Sequence, residues 1–183
     1  MGVGRARIPI EICARRPDIE ITGVDSQRSI LRRARQEIER AGLTGAIRVR
    51  LADAYALPNA NGTFDAVISN SLMHHLPRRR EALNEMIRVL RPGGLLFVRD
   101  SLPQADASII ARTLLHIAAH RGRRIDRAHL PSPLSLDDAR QLAAEAGIPA
   151  DWVRRCGLRH WLLSGRLVIG AGALHAGSCG RTV

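Results

Sequence analysis

The chain has no lysine: all 28 of its basic residues are arginine. It has three cysteines, Cys13, Cys156 and Cys179, in 183 residues, too few and too scattered for a disulfide framework and without the paired spacing of a zinc site. Aromatic residues make up 3% of the sequence, so there are few platforms on which nucleic-acid bases could stack. No apolar run approaches the ~20 residues of a membrane span. The N-terminus lacks the basic-then-apolar order of a secretory leader, so the expected compartment is the cytoplasm.

What is present is enough for one domain. Hydrophobic residues account for 45% and charged residues for 25%, ordinary values for a globular protein. The net charge of +11 and pI near 11.4 raise the question of a nucleic-acid partner. Complete exclusion of lysine points instead to a GC-rich coding background. The arginines are also dispersed, in Arg32-Arg33, Arg78-Arg79-Arg80 and the stretch 121–127. A solvated basic face is the expectation, with nucleic acid disfavoured as substrate.

Short β-branched runs alternate with helical stretches, the order of a parallel α/β sheet. Helices are expected at 6–16, from an N-cap at Ser26 to Ala41, at 80–90, at 106–120 and after Ser135, where Ser135-Leu136-Asp137-Asp138 resembles a capping box. Gly42 and Gly147 close two of them. Strands are expected at 20–24, 47–51, 64–69, 95–98, 152–155 and 159–163, with a turn at Pro92-Gly93-Gly94. Cys13 falls on an apolar helix face as a small buried hydrophobe. A basic, irregular stretch precedes Pro133, and 167–183 is expected to be a disordered tail.

The informative residues sit at strand ends, where open α/β sheets bind ligands. Gly2-Val3-Gly4 precedes the first helix, letting backbone approach a ligand closely. Asp25 ends the next strand, where a carboxylate can accept from both hydroxyls of a ribose. A dinucleotide site shares this pattern, but its fingerprint needs a small residue at Arg7, so a nucleoside without a diphosphate fits better. Asp53-Ala54 follows the third strand and Asn70-Ser71 the fourth. His74-His75-Leu76-Pro77 comes next, and Leu90-Arg91-Pro92-Gly93-Gly94 leads into another strand.

Taken together, residues 2–164 resemble the class I S-adenosylmethionine-dependent methyltransferases, in particular the small methyltransferase-domain group. The resemblance implies a Rossmann-like, mostly parallel sheet with helices on both faces and a C-terminal antiparallel strand. It also implies that S-adenosyl-L-methionine is the cofactor, held by Gly2 and Gly4 at its methionine part, Asp25 and the adjoining Ser26 at the ribose, Asp53 and Ala54 at the adenine, and Asn70 and Ser71 near the reactive methyl. No metal is implied, no catalytic residue is assigned, and the acceptor is expected to be a small molecule. His74 and His75 are expected to pack and cap, His160-Trp161 to pack, and Asp65 to cap a turn. Asp100 either touches substrate or caps the next segment.

One departure stands out. The group's first strand should precede Gly2, so the domain at 1–166 is expected to lack it, through a start placed too far downstream or a fragmentary gene. That would leave two inner strand edges unpaired and the chain prone to aggregate unless another segment fills the gap. The alternative to an active methyltransferase is a truncated or degenerate, non-catalytic domain of the same type.

Overall fold

The computed structural model describes residues 1–103 and 132–167. The expected helix at 106–120, the basic stretch at 121–127 and nearly all of the expected tail lie outside them. Helix α1 (Arg7–Arg15) leads into β1 (Ile21–Asp25), α2 (Arg28–Arg40) and β2 (Ile47–Leu51). Then come β3 (Phe64–Asn70), a 3-10 turn (Met73–His75), α3 (Arg79–Val89) and β4 (Leu90–Ser101). Helix α4 (Leu136–Glu145), a second 3-10 turn (Ala150–Trp152), β5 (Val153–Cys156) and β6 (His160–Arg166) complete the order.

The strands form two sheets. β1 and β2 pair in parallel, while the other four take the order β3-β4-β6-β5. β3 and β4 are parallel, and β6 runs antiparallel to both β4 and β5. The α/β class and the antiparallel C-terminal strand are therefore as expected.

Helix ends follow local chemistry. In α2 the Gly42 N–H donates to Glu39 O at 2.9 Å and the Leu43 N–H to Ile38 O at 3.0 Å, a closure that needs Gly42 at φ +68°. Ser135 and Asp138 form the reciprocal capping box of α4. Ser26 does not cap α2: the N-cap is Gln27, with no side-chain cap, and the Gln27 N–H donates instead to Asp25 Oδ1 at 3.1 Å.

The expected turn at Pro92-Gly93-Gly94 is absorbed into β4 as a wide bulge. Phe64 pairs with Leu90 and Ala66 with Leu95, so Asp65 alone lies opposite residues 91–94. Asp65 pairs there with the Arg91 guanidinium at 2.6 Å. The core divides accordingly. Cys13, Ala34, Ile38 and Ile47 cluster under α1 and α2, and Cys13 is 2% exposed, the small hydrophobe expected. Val24, Val67, Met86, Leu96, Val98 and Trp161 belong to a second cluster with α3 and α4. Ile21 packs on the first and Val24 enters the second, so the clusters lie on opposite faces of β1.

Candidate functional site

Four expected site segments converge at the C-terminal ends of the parallel strands. Val3 N–H donates to Val24 O at 2.9 Å, which carries the glycine loop along the tip of β1. The Gly4 N–H then donates to Asp25 Oδ2 at 3.2 Å. Asp25 thus holds the loop through one oxygen and the start of α2 through the other, with lone pairs left on both. Gly2 and Gly4 sit at φ +64° and +56°, a left-handed region open to glycine at little cost. A Cβ on Gly4 would meet nothing within 4 Å, so Gly4 faces open space, whereas one on Gly2 would meet Leu72 Cδ1 at 3.1 Å.

Asp53 lies one strand over on the same edge. Asp25 pairs with Leu51, and the Ala52 N–H donates to Asp25 O at 3.1 Å. Asp53 Oδ1 accepts from the Tyr55 N–H at 3.0 Å, which fixes a tight turn through Ala54. The Tyr55 hydroxyl in this turn is buried without a partner among the described residues. Arg78 stacks on its ring, 4.0 Å from the centroid.

On the other side, Asn70 is engaged by its neighbours. Its Oδ1 accepts from Arg99 Nη1 at 3.1 Å, and its Nδ2 donates to Ser71 Oγ at 3.1 Å. Arg99 Nη2 lies 2.9 Å from His160 Nδ1. Burial first, then the Arg99 charge, push the His160 imidazole below its usual range, so this ring accepts from the guanidinium as the neutral form. His160 is therefore a strand-tip tie, while Trp161 packs at 1% exposure as expected. Ser71 has φ +55°, rare for a residue with a side chain, and its N–H donates to Arg99 O at 2.9 Å.

His74 and Asp100 form a feature that the sequence did not disclose. His74 Nδ1 lies 2.6 Å from Asp100 Oδ1, and Asp100 Oδ2 accepts from the His74 backbone N–H at 3.3 Å. The Asp100 side chain is 1% exposed and also accepts from the Ser101 N–H at 2.6 Å. The Ser101 contact is the expected cap of the next segment, made by the same carboxylate that holds His74. Its partner His74 is 19% exposed. Asp100 lies near the end of β4 and His74 in the 3-10 turn that follows β3, a juxtaposition that depends on β3–β4 pairing. His74 thus packs against Asp100, with its ring oriented by that carboxylate.

The strand-tip arrangement lies away from a cavity of about 550 Å³ between α3 and α4, which Arg78, Arg79, Ser132 and Asp138 help to line. Several arginines of the supposed basic face have structural partners. Arg79 donates to Met73 O at 3.1 Å and Ser132 O at 2.6 Å, and Arg78 pairs with Glu81 at 2.6 Å.

A profile of the methyltransferase domain matches residues 1–98, more than half of the chain. The chain belongs to the methyltransferase-domain family. It is 33% identical to the methyltransferase GfsG of Streptomyces halstedii over 114 residues, 62% of this chain and 40% of that protein. It is 29% identical to a 27-O-demethylrifamycin SV methyltransferase of Amycolatopsis mediterranei, over 72% of this chain and 46% of that one. The chain thus spans less than half the length of these curated relatives. Among solved structures, an S-adenosylmethionine-dependent methyltransferase from Aquifex aeolicus superposes with a TM-score of 0.66 at 18% identity, covering 91% of this chain and 79% of its own. The [4+2]-cyclase SpnF superposes with a TM-score of 0.59 at 18% identity, covering 92% and 74%. At such identities the likeness establishes the fold, and the fold alone does not select the reaction. Among the described residues no helix is long and apolar enough to cross a membrane.

Proposed function

We propose that this methyltransferase-family chain binds S-adenosyl-L-methionine at the strand tips and serves methyl transfer to a small hydroxyl-bearing acceptor. The observation that carries the binding site is the contact of Gly4 with Asp25, with Asp53 on the adjoining strand of the same edge. The donor set fits the group. Asp25 keeps lone pairs for ribose hydroxyls, Asp53 and Ala54 sit where an adenine edge would rest, and the space over Gly4 suits the methionine portion. Ser26 adjoins Asp25, and Asn70 and Ser71 stand at the end of β3.

Bound there, the cofactor supplies an already activated methyl on a sulfonium. The remaining work is to align an acceptor, exclude water and remove a proton. Asp100 holds Nδ1 of His74, which leaves Nε2 as the basic nitrogen. His74 Nε2 would take the proton that the acceptor hydroxyl loses. Asp100 orients the ring and stabilises the imidazolium without touching the acceptor. The relative named as a 27-O-demethylrifamycin SV methyltransferase supports a small-molecule acceptor.

Calorimetric titration of the 183-residue chain with S-adenosyl-L-methionine tests the binding site. Micromolar affinity that falls by roughly tenfold or more in Asp25→Ala is the expected result. Binding that is insensitive to Asp25 would place the cofactor elsewhere. The division of the sheet into two parts favours one rival, a non-catalytic domain of the same family. It predicts no heat of binding from a chain that nonetheless melts cooperatively.

A further inference from the structure

Among the described residues, Arg79, Arg88 and Arg99 are the half-buried arginines, and the others are exposed. Two of the three have partners that answer their charge. Arg88 grips the Glu85 carboxylate through Nε at 2.7 Å and Nη2 at 2.8 Å. Arg79 donates to the carbonyls of Met73 and Ser132, and its charge acts on the Asp138 carboxylate. Arg99 has no carboxylate partner among the described residues. Its contacts are the Asn70 amide oxygen at 3.1 Å and the neutral His160 ring at 2.9 Å.

Neutral acceptors of this kind do not call for a cation. A neutral amide side chain could donate to them without the cost of drawing an uncompensated charge partly out of water. A guanidinium carries five N–H groups, and these contacts use two, so three donors and a full positive charge remain. The place of that charge is specific. Asn70 ends β3 opposite Arg99, and His160 begins β6, which runs antiparallel to β4, so the three residues stand at the ligand-side edge. Asp100, the next residue of β4, turns to the other face, where it holds His74. The end of β4 thus offers a positive charge on one face and an oriented imidazole on the other.

We infer that Arg99 anchors a carboxylate on the methyl acceptor, which makes the acceptor a hydroxy acid. The inference rests on the methyl-transfer reading above and narrows its acceptor. One guanidinium balances one negative charge, so the fitting anion is a carboxylate and not a phosphate dianion, and the planar fork matches its two oxygens. Asn70 and His160 hold the fork in place without neutralising it, which keeps the charge available to a ligand. An uncharged acceptor would leave Arg99 no better compensated than before.

The test pairs hydroxy acids with their amides: 3-hydroxybenzoate against 3-hydroxybenzamide, and 3-hydroxybutyrate against 3-hydroxybutyramide. Affinities are measured by calorimetric titration of the 183-residue chain, with and without saturating S-adenosyl-L-homocysteine, so that no methyl transfer is needed. At least one acid should bind roughly tenfold or more tighter than its amide, by a margin that shrinks in high salt. Arg99→Gln should abolish the preference, and Arg99→Lys, which keeps the charge without the fork, should reduce it several-fold. A wild-type chain that favours neither acid overturns the proposal, and that comparison needs no variant. So does a preference that Arg99→Gln leaves intact or, where a thermal melt shows that variant unfolded, that Arg99→Lys leaves intact. Cofactor binding without an acid preference removes this proposal alone. An acid preference in a chain that binds no S-adenosyl-L-methionine removes the methyl-transfer reading and leaves Arg99 a carboxylate site.

Discussion

The Met1 amino group and His74 are the residues whose chemistry departs furthest from what their type suggests. Burial lowers the Met1 ammonium from 8.0 to about 6, with attraction to Asp25 opposing that shift. The charged form is the one disfavoured by folding, so the penalty, about 3 kcal/mol for a two-unit shift, is complete below pH ~6 and relieved by pH ~8. Stability should therefore rise between those values in urea melts, and N-terminal acetylation should remove that rise while leaving other pH effects in place. His74 yields a separate expectation. With labelled S-adenosyl-L-methionine and an accepted hydroxyl substrate, His74→Ala should lower turnover by roughly 10²–10⁴-fold and leave cofactor affinity unchanged. Asp100→Asn should alter the pH profile of turnover by changing what His74 Nδ1 faces. A flat profile in both forms would leave the pair a structural one.

At the scale of elements, the closures that rest on neighbouring residues were legible. The Ser135–Asp138 box and the Gly42 and Gly147 ends follow from residues adjacent in sequence, because the groups that satisfy a helix end come from one turn away. Ser135→Ala should cost about 1 kcal/mol in a denaturant melt. Asp138 is held below the ordinary carboxylate range chiefly by the Ser135 hydroxyl, so acid should weaken this cap as the pH falls through that lowered value. Ser26 misled because Asp25, one residue earlier, takes the backbone donor that a cap would have used. The β4 bulge was also hidden, since the Pro-Gly-Gly signal marks a break but not whether pairing resumes beyond it. Its Gly94 is tightly enclosed: a Cβ would lie 2.8 Å from Arg91 O. Gly94→Ala should destabilise by about 1–3 kcal/mol, read from the midpoint of urea unfolding at constant m-value.

For the whole molecule, strand tips and sequence order were enough to gather Gly2, Gly4, Asp25, Asp53 and Asn70 on one edge. What they could not show were the partnerships across strands: His74 with Asp100, Asn70 with Arg99, Arg99 with His160. Each spans at least 26 residues of chain and exists only once β3, β4 and β6 are in register. The same long-range dependence governs Arg88. It binds Glu85, Leu57 O, Asn59 O and Asn61 Oδ1 together, an arrangement for a planar fork and not for a point charge. The guanidinium groups of Arg79, Arg88 and Arg99 are thus held within the fold.

The sequence contains no lysine, so in the 183-residue chain as given the amine at Met1 stands alone, and its nitrogen is bonded to Ile68 O between the two sheets. An acylating ester therefore has one amine to attack in this 183-residue chain, reachable only when the Met1–Ile68 bond opens. The rate of single-site labelling, followed by intact mass, becomes a clock for how often that bond opens. It should be slow in native buffer and approach that of a free peptide in urea.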